Sequence, residues 1–189
     1  MLHRLKYFLP SNVLKMLYDT LIHSYLSYGV LAWGFEPGRL EVLQRKAIRA
    51  VTRSRRFAHT EPLFKGLKVL TVNDILLVRG LKFYYSLKNY DVPSYFLNMF
   101  HTVGERHGHN TRGASNLDEP NTRTRGATKC LRSFIPRDIE TFDKSIIDMV
   151  HTHSFSSFSI HAKRFIISRY SSEICTRADC HCRRRRRDC

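Results

Sequence analysis

The apolar residues of the first ninety or so positions fall on helical periods. Leu14, Leu17, Leu21 and Tyr25 recur at three and four residues, with Tyr18, Ile22 and Leu26 broadening the stripe. This predicts a helix with one face that must be covered. Pro10 and Ser11 mark its start and Gly29 its stop. A second helix is expected from Gly38 to about Arg53, on a narrower apolar line of Leu40, Leu43, Ala47 and Val51. Between them Val30–Trp33 is a short apolar run bracketed by Gly29 and Gly34, and its Trp reads as a core anchor between helices. Thr60-Glu61-Pro62 predicts a helix start, with Thr60 as cap and Pro62 in the first turn, where a missing N–H costs little. That short helix, to Leu67, offers Leu63, Phe64 and Leu67 inward and Lys65 and Lys68 outward.

Thr71-Val72-Asn73-Asp74 resembles a capping box, with an aspartate where Glu or Gln is usual. From Val72 to about Leu87 the chain is apolar almost all round, the pattern of a helix buried on more than one side. Asn89 to Pro93 ends it, and Tyr95, Phe96, Met99 and Phe100 suggest one further amphipathic turn. From His101 to Arg132 the composition shifts to Gly, Asn, Thr and Arg, which predicts irregular chain with at most short strands near Lys129 to Ile135. Two amphipathic helices are expected beyond Pro136, on Ile139, Phe142, Ile146 and Met149, and on Phe155, Phe158, Ala162, Phe165 and Ile166 with Ser154 as cap. The fold class is therefore mainly α. A helical bundle over 1–100 precedes a basic loop over 101–135, C-terminal helices over 136–170 and a Cys/Arg-rich disordered tail over 171–189.

Charge changes this picture from a generic bundle to one with a polyanionic partner. The 189 residues hold 32 Lys and Arg against 16 Asp and Glu, a net +16, and nucleic acid is the partner such an imbalance favours. An anionic membrane surface is the rival. No run approaches the ~20 apolar residues needed to span a bilayer, and no signal peptide is read at the N-terminus, so an intracellular protein of nucleus or cytoplasm is expected. Arg45, Arg49 and Arg53 recur every four residues, about 6 Å apart along one helix face, close to the spacing of backbone phosphates. Lys46 belongs to the same helix, and Arg55, Arg56 and Lys65 add accessory charge. A solvated helix face is the plainer reading of such a run. In the loop, Arg112, Arg123 and Arg125 lie among Asn and Thr, residue types suited to phosphate and sugar contact.

One resemblance goes further than residue chemistry. Leu9-Pro10, then YDTLIHSYLSYGVLAWG, then LQRKAIRAVTRS, then His59-Thr60-Glu61-Pro62-Leu63-Phe64 resemble, in order and spacing, the region after the polymerase palm in reverse transcriptases of non-LTR (LINE-type) retrotransposons. His109-Asn110-Thr111-Arg112 and Arg123-Thr124-Arg125 resemble the same family. The resemblance covers roughly the first hundred residues and implies the thumb and C-terminal part of such an enzyme, with the palm and fingers missing. A thumb grips the template–primer duplex, so RNA or an RNA–DNA duplex is the implied partner, contacted through its backbone. The apolar start of the chain, with Leu2, Leu5, Tyr7 and Phe8, suggests a truncated neighbour.

Polymerase chemistry needs two metals held by convergent carboxylates. No Asp-Asp pair, Gly-rich phosphate loop or HExxH occurs, so no catalytic residue is assigned and the chain is expected to be inactive as an enzyme on its own. Cys175, Cys180 and Cys182, with His181 and Cys189, could hold zinc, the one cofactor the sequence suggests. Their separations of four, one and six residues do not match a structural zinc site, and Arg183 to Arg187 interrupt them. His107 and His109, and His151 and His153, lack ligand-spaced companions and read as loop residues. Two other classes stay open: a helical interaction module or decayed transposon remnant, and a zinc-dependent nucleic-acid-binding protein centred on the tail.

Overall fold

The computed structural model describes residues 2–33, 38–95, 103–109, 111–112, 150 and 154–171, with the side chains at 32, 33, 106 and 107 outside that set. The described residues are mainly helical and include no strand. In chain order the helices are α1 (Leu2–Leu5), α2 (Ser11–Leu17), a π-helical segment (Tyr18–His23), α3 (Ser24–Ser27), α4 (Val30–Trp33), α5 (Gly38–Val51), α6 (Glu61–Leu67), α7 (Val72–Lys88), α8 (Val103–His107) and α9 (Phe155–Ser168). The expected strands at 129–135, the helix on Ile139 to Met149, the Trp33 anchor, most of the basic loop and the tail lie outside the described residues.

The chain divides into two compact units, one of Met1–Tyr28, Pro37–Ile75 and Arg164–Cys189, the other of Gly29–Glu36 and Leu76–Lys163. In the first unit α1 and α2 pack on α5, and α5 packs on α6. Its core holds Leu14, Tyr18, Leu26, Ile48, Val51 and Phe64. In the second unit the inward residues are Val30, Val78, Leu81, Tyr84 and Leu87 with Phe158 and Ala162. Tyr85 packs against Phe158, ring centres 5.0 Å apart. A fully buried Phe of this kind contributes about 1.5–3 kcal/mol. Ser154 caps α9 as expected, its hydroxyl accepting from the Ser157 N–H at 3.4 Å.

The first helix differs from its expected form. It is continuous from Ser11 to Ser27 but adopts i→i+5 bonding through Tyr18–His23. The wider turn keeps residues four apart on one face, so Leu14, Tyr18 and Leu26 are buried. Leu21 and Tyr25, expected on the covered stripe, are 52% and 74% exposed. In α5 the inward line is likewise displaced from the expected one. Gln44, Ile48 and Val51 are buried, while Leu43 is 58% exposed. A purely apolar count passes over Gln44, which a buried site accepts because all its polar hydrogens find partners. Its Nε2 donates to the Tyr18 hydroxyl at 2.9 Å and the Leu70 carbonyl at 2.8 Å, and its Oε1 accepts from the Val72 N–H at 2.9 Å. One side chain thus ties α5 to the π-helical segment and to the first residue of α7.

Helix ends follow backbone chemistry more than glycine signals. The basic helix stops at Val51, two residues before the expected Arg53. There the Arg53 N–H bonds the Ala50 carbonyl, the Ser54 N–H bonds the Arg49 carbonyl, and Arg53 itself takes φ +54°. This is a Schellman cap with a non-glycine left-handed residue, and Lys68 and Tyr90 close α6 and α7 in the same way. Each costs about 1 kcal/mol relative to glycine. Gly29, at φ +59°, ends the first helix as expected. Thr60 does precede α6, but its side chain makes no capping bond.

Candidate nucleic-acid interface

The cations singled out on and after α5 run from its middle into the turn that follows it, and of those in the helix only Arg49 lies in the last turn, where the helix dipole favours positive charge. Residues 38–56 carry seven cations, Arg39, Arg45, Lys46, Arg49, Arg53, Arg55 and Arg56, against the single carboxylate of Glu41. That carboxylate is already taken. Arg45 donates to Glu41 at 2.7 Å, and the pair is only a fifth to a quarter exposed. Arg45 is therefore neutralised locally, and apart from Arg39 the net positive charge belongs to the residues after it.

The three arginines of the expected ridge do not form a continuous row. Arg49 donates through Nε to the Ala58 carbonyl at 2.9 Å, holding the turn that follows the helix. Arg53 lies past the helix end and donates through Nη2 to the Leu9 carbonyl at 2.7 Å, which pins the segment before α2. A guanidinium has five N–H donors, so the single bond of Arg53 leaves others in its fork. Lys46, Arg55 and Arg56 are exposed, and none of them has a carboxylate partner among the described residues. Arg56 lies against the Phe57 ring, 5.6 Å from its centre. The accessory Lys65 serves the fold: its ammonium donates to the Tyr170 carbonyl at 2.7 Å. Arg112 is exposed. Arg123, Arg125, Cys175, Cys180 and Cys182 lie outside the described residues.

Beside these cations runs an open groove of about 870 Å³, with an apolar floor that includes Leu17, Leu21, Ile22, Leu40 and Leu43 and a basic rim that includes Lys6, Lys46, Arg49 and Arg56. The two apolar lines read from the sequence, Leu17–Leu21–Tyr25 and Leu40–Leu43–Ala47, meet here on an open surface. The amphipathic pattern located both lines correctly but could not tell a covered face from an open one. A side chain that the sequence did not single out, Gln44, sets how the basic helix sits, and an isolated glutamine between Leu43 and Arg45 gave no periodic signal.

Among the described residues no set of His, Cys, Asp or Glu could hold a metal ion, and no helix is long and apolar enough to cross a membrane. No protein-family model, curated protein or solved structure matches the chain.

Proposed function

We propose that the chain binds an RNA-containing duplex through its phosphate backbone, as a module similar to the thumb of a non-LTR retrotransposon reverse transcriptase. The observation that carries this is the cation cluster on and after α5, where Lys46, Arg55 and Arg56 are exposed without a carboxylate among the described residues while the one acid of the helix is consumed by Arg45. Arg53 contributes its remaining donors, and its bond to the Leu9 carbonyl holds the fork in place. The thumb resemblance supports the same partner, and the net +16 supplies the long-range attraction. Contacts of this kind read shape and charge and leave base sequence unread. The reading assigns no catalytic residue, and it places the protein where RNA–DNA duplexes form, in nucleus or cytoplasm. Zinc belongs to a separate reading of the cysteine tail, which stoichiometric zinc uptake would test.

Replacing Lys46, Arg55 and Arg56 together by Gln tests the site, since all three are exposed and the ring that Arg56 lies against, Phe57, is itself exposed. If each meets one phosphate, the dependence of log K on log salt becomes shallower by about 2–3. An unchanged slope moves the contact elsewhere. The open apolar groove favours a second reading, in which this face docks the palm and fingers of a polymerase. Self-association that grows with concentration, without duplex binding, would select that reading.

A further inference from the structure

The groove beside α5 lies wholly within the first unit, and its charge is one-sided. Among the described residues its lining holds no Asp or Glu, while Lys6, Lys46, Arg49 and Arg56 stand along it. The acids closest in sequence, Asp19 and Glu41, are paired with Lys15 and Arg45 four residues away, and neither lines the groove. Beneath the cations the floor is apolar and open. Leu21, Tyr25 and Leu43 are 52%, 74% and 58% exposed, an apolar surface that the unit leaves uncovered.

Shape narrows the kind of partner. Leu17, Leu21 and Tyr25 lie four apart along the first helix, and Leu40, Leu43 and Ala47 lie three and four apart along α5. Each line runs about 10–12 Å, close to two helical turns. Two such lines wall a channel that receives the ridge of a third helix, one with apolar residues at i, i+3, i+4 and i+7. The cations at the rim select what flanks that stripe, since carboxylates are attracted there and ammonium groups repelled. A polynucleotide suits the rim and not the floor, where Tyr25 apart, Leu, Ile and Ala offer a base neither a hydrogen bond nor a ring to stack on. A membrane surface calls for apolar side chains that protrude, whereas these line a concavity.

We propose that this groove docks an acidic amphipathic helix of a partner protein, its apolar stripe on the floor and its Asp or Glu side chains against Lys6, Lys46 and Arg56. This rests on the docking reading of the same face and deepens it by stating the chemistry of what docks. It is independent of duplex binding.

The test uses the full chain and a labelled synthetic helical peptide of about four turns, with Leu at i, i+3, i+4 and i+7 and Glu beside them, read by fluorescence anisotropy. Saturable binding is expected, weakened about tenfold or more in Leu21→Gln/Leu43→Gln, which loses two anchors. Both leucines are exposed, so this variant should melt with the parent. On the unaltered chain, a peptide with Lys in place of Glu should bind at least about tenfold more weakly, a comparison that needs no variant to fold. Equal, leucine-dependent binding of the two peptides would overturn the acidic partner and leave a docking face. Absence of peptide binding, or binding unchanged in the leucine variant, would overturn docking itself. Leucine-dependent self-association, or leucine-dependent binding to phosphatidylserine vesicles, without peptide uptake would overturn the proposal in favour of a second copy or a membrane. Duplex binding by the leucine variant with the parental salt slope would keep the duplex reading apart from either failure.

Discussion

Tyr170 completes a helix cap that its own helix cannot close. Thr71 caps α7, its hydroxyl accepting from the Asp74 N–H at 3.2 Å. In a full capping box a Glu at the third position would reach back to the Thr71 N–H. Asp74 is one methylene shorter, and the Tyr170 hydroxyl bridges the gap, accepting from the Thr71 N–H at 3.2 Å and donating to the Asp74 carboxylate. The Phe64 ring meets Tyr170 edge-on at 6.5 Å, and the Ser171 N–H donates to Glu61 at 2.9 Å, so the end of the described chain is tied down at several points. Burial, and then Asp74, push the Tyr170 pKa up. Tyr170→Phe should cost about 1–2 kcal/mol, the range for a lost cap with a stranded N–H. Asp74→Glu in that background should recover part of the loss, because the longer side chain can close the box directly. Urea midpoints of the two variants check this, and a neutral Tyr170→Phe would refute the bridging role. The box was legible in the sequence as far as its aspartate. Its completion, by a residue 96 positions away, is a long-range contact that no local pattern carries.

At the scale of elements, the chain places its helices where periodicity puts them and turns some of them differently. Val72–Lys88 and Phe155–Ser168 were legible because their buried residues keep spacings of three and four over several turns. The first helix and α5 were legible in position but not in facing, since a π-helical turn and one buried amide decide which side goes inward. Gln44→Leu tests that account. It strands the Val72 N–H and the Leu70 carbonyl in a buried site, so stability should fall by about 3 kcal/mol, summing roughly 1–3 for each orphaned group. A loss under about 1 kcal/mol would mean that Gln44 merely fills space. The same junction predicts an alkaline limit. Burial pushes the Tyr18 phenol from 10.0 up to about 12, against the opposing effect of the Gln44 hydrogen bond. The folded state therefore holds this proton more tightly than the unfolded chain. Stability from Tyr18 is complete below pH 10 and is lost as pH rises from about 10 to 12, an effect of about 2 kcal/mol. Unfolding curves across that window should flatten in Tyr18→Phe; an unaltered pH profile in the variant would contradict this.

At the scale of the whole molecule, charge is the property that composition made plain and geometry then sorted. The sequence showed the excess of cations and the row at Arg45, Arg49 and Arg53. It could not show that Arg45 is spent on Glu41, that Arg53 leaves the helix at a Schellman cap, or that Lys65 holds the Tyr170 carbonyl, because each depends on where the chain turns. What survives is a basic surface on helical scaffolding, and it competes with the five arginines at Arg183–Arg187 for responsibility for any binding. The most direct measurement is the salt dependence of RNA–DNA duplex binding by the full chain beside a full-length variant with Arg183 to Arg187 replaced by Gln. A helical body that holds the contacts predicts binding in both, with the variant keeping most of the parental slope. Loss of binding in the variant would place the contacts in the tail and contradict the account.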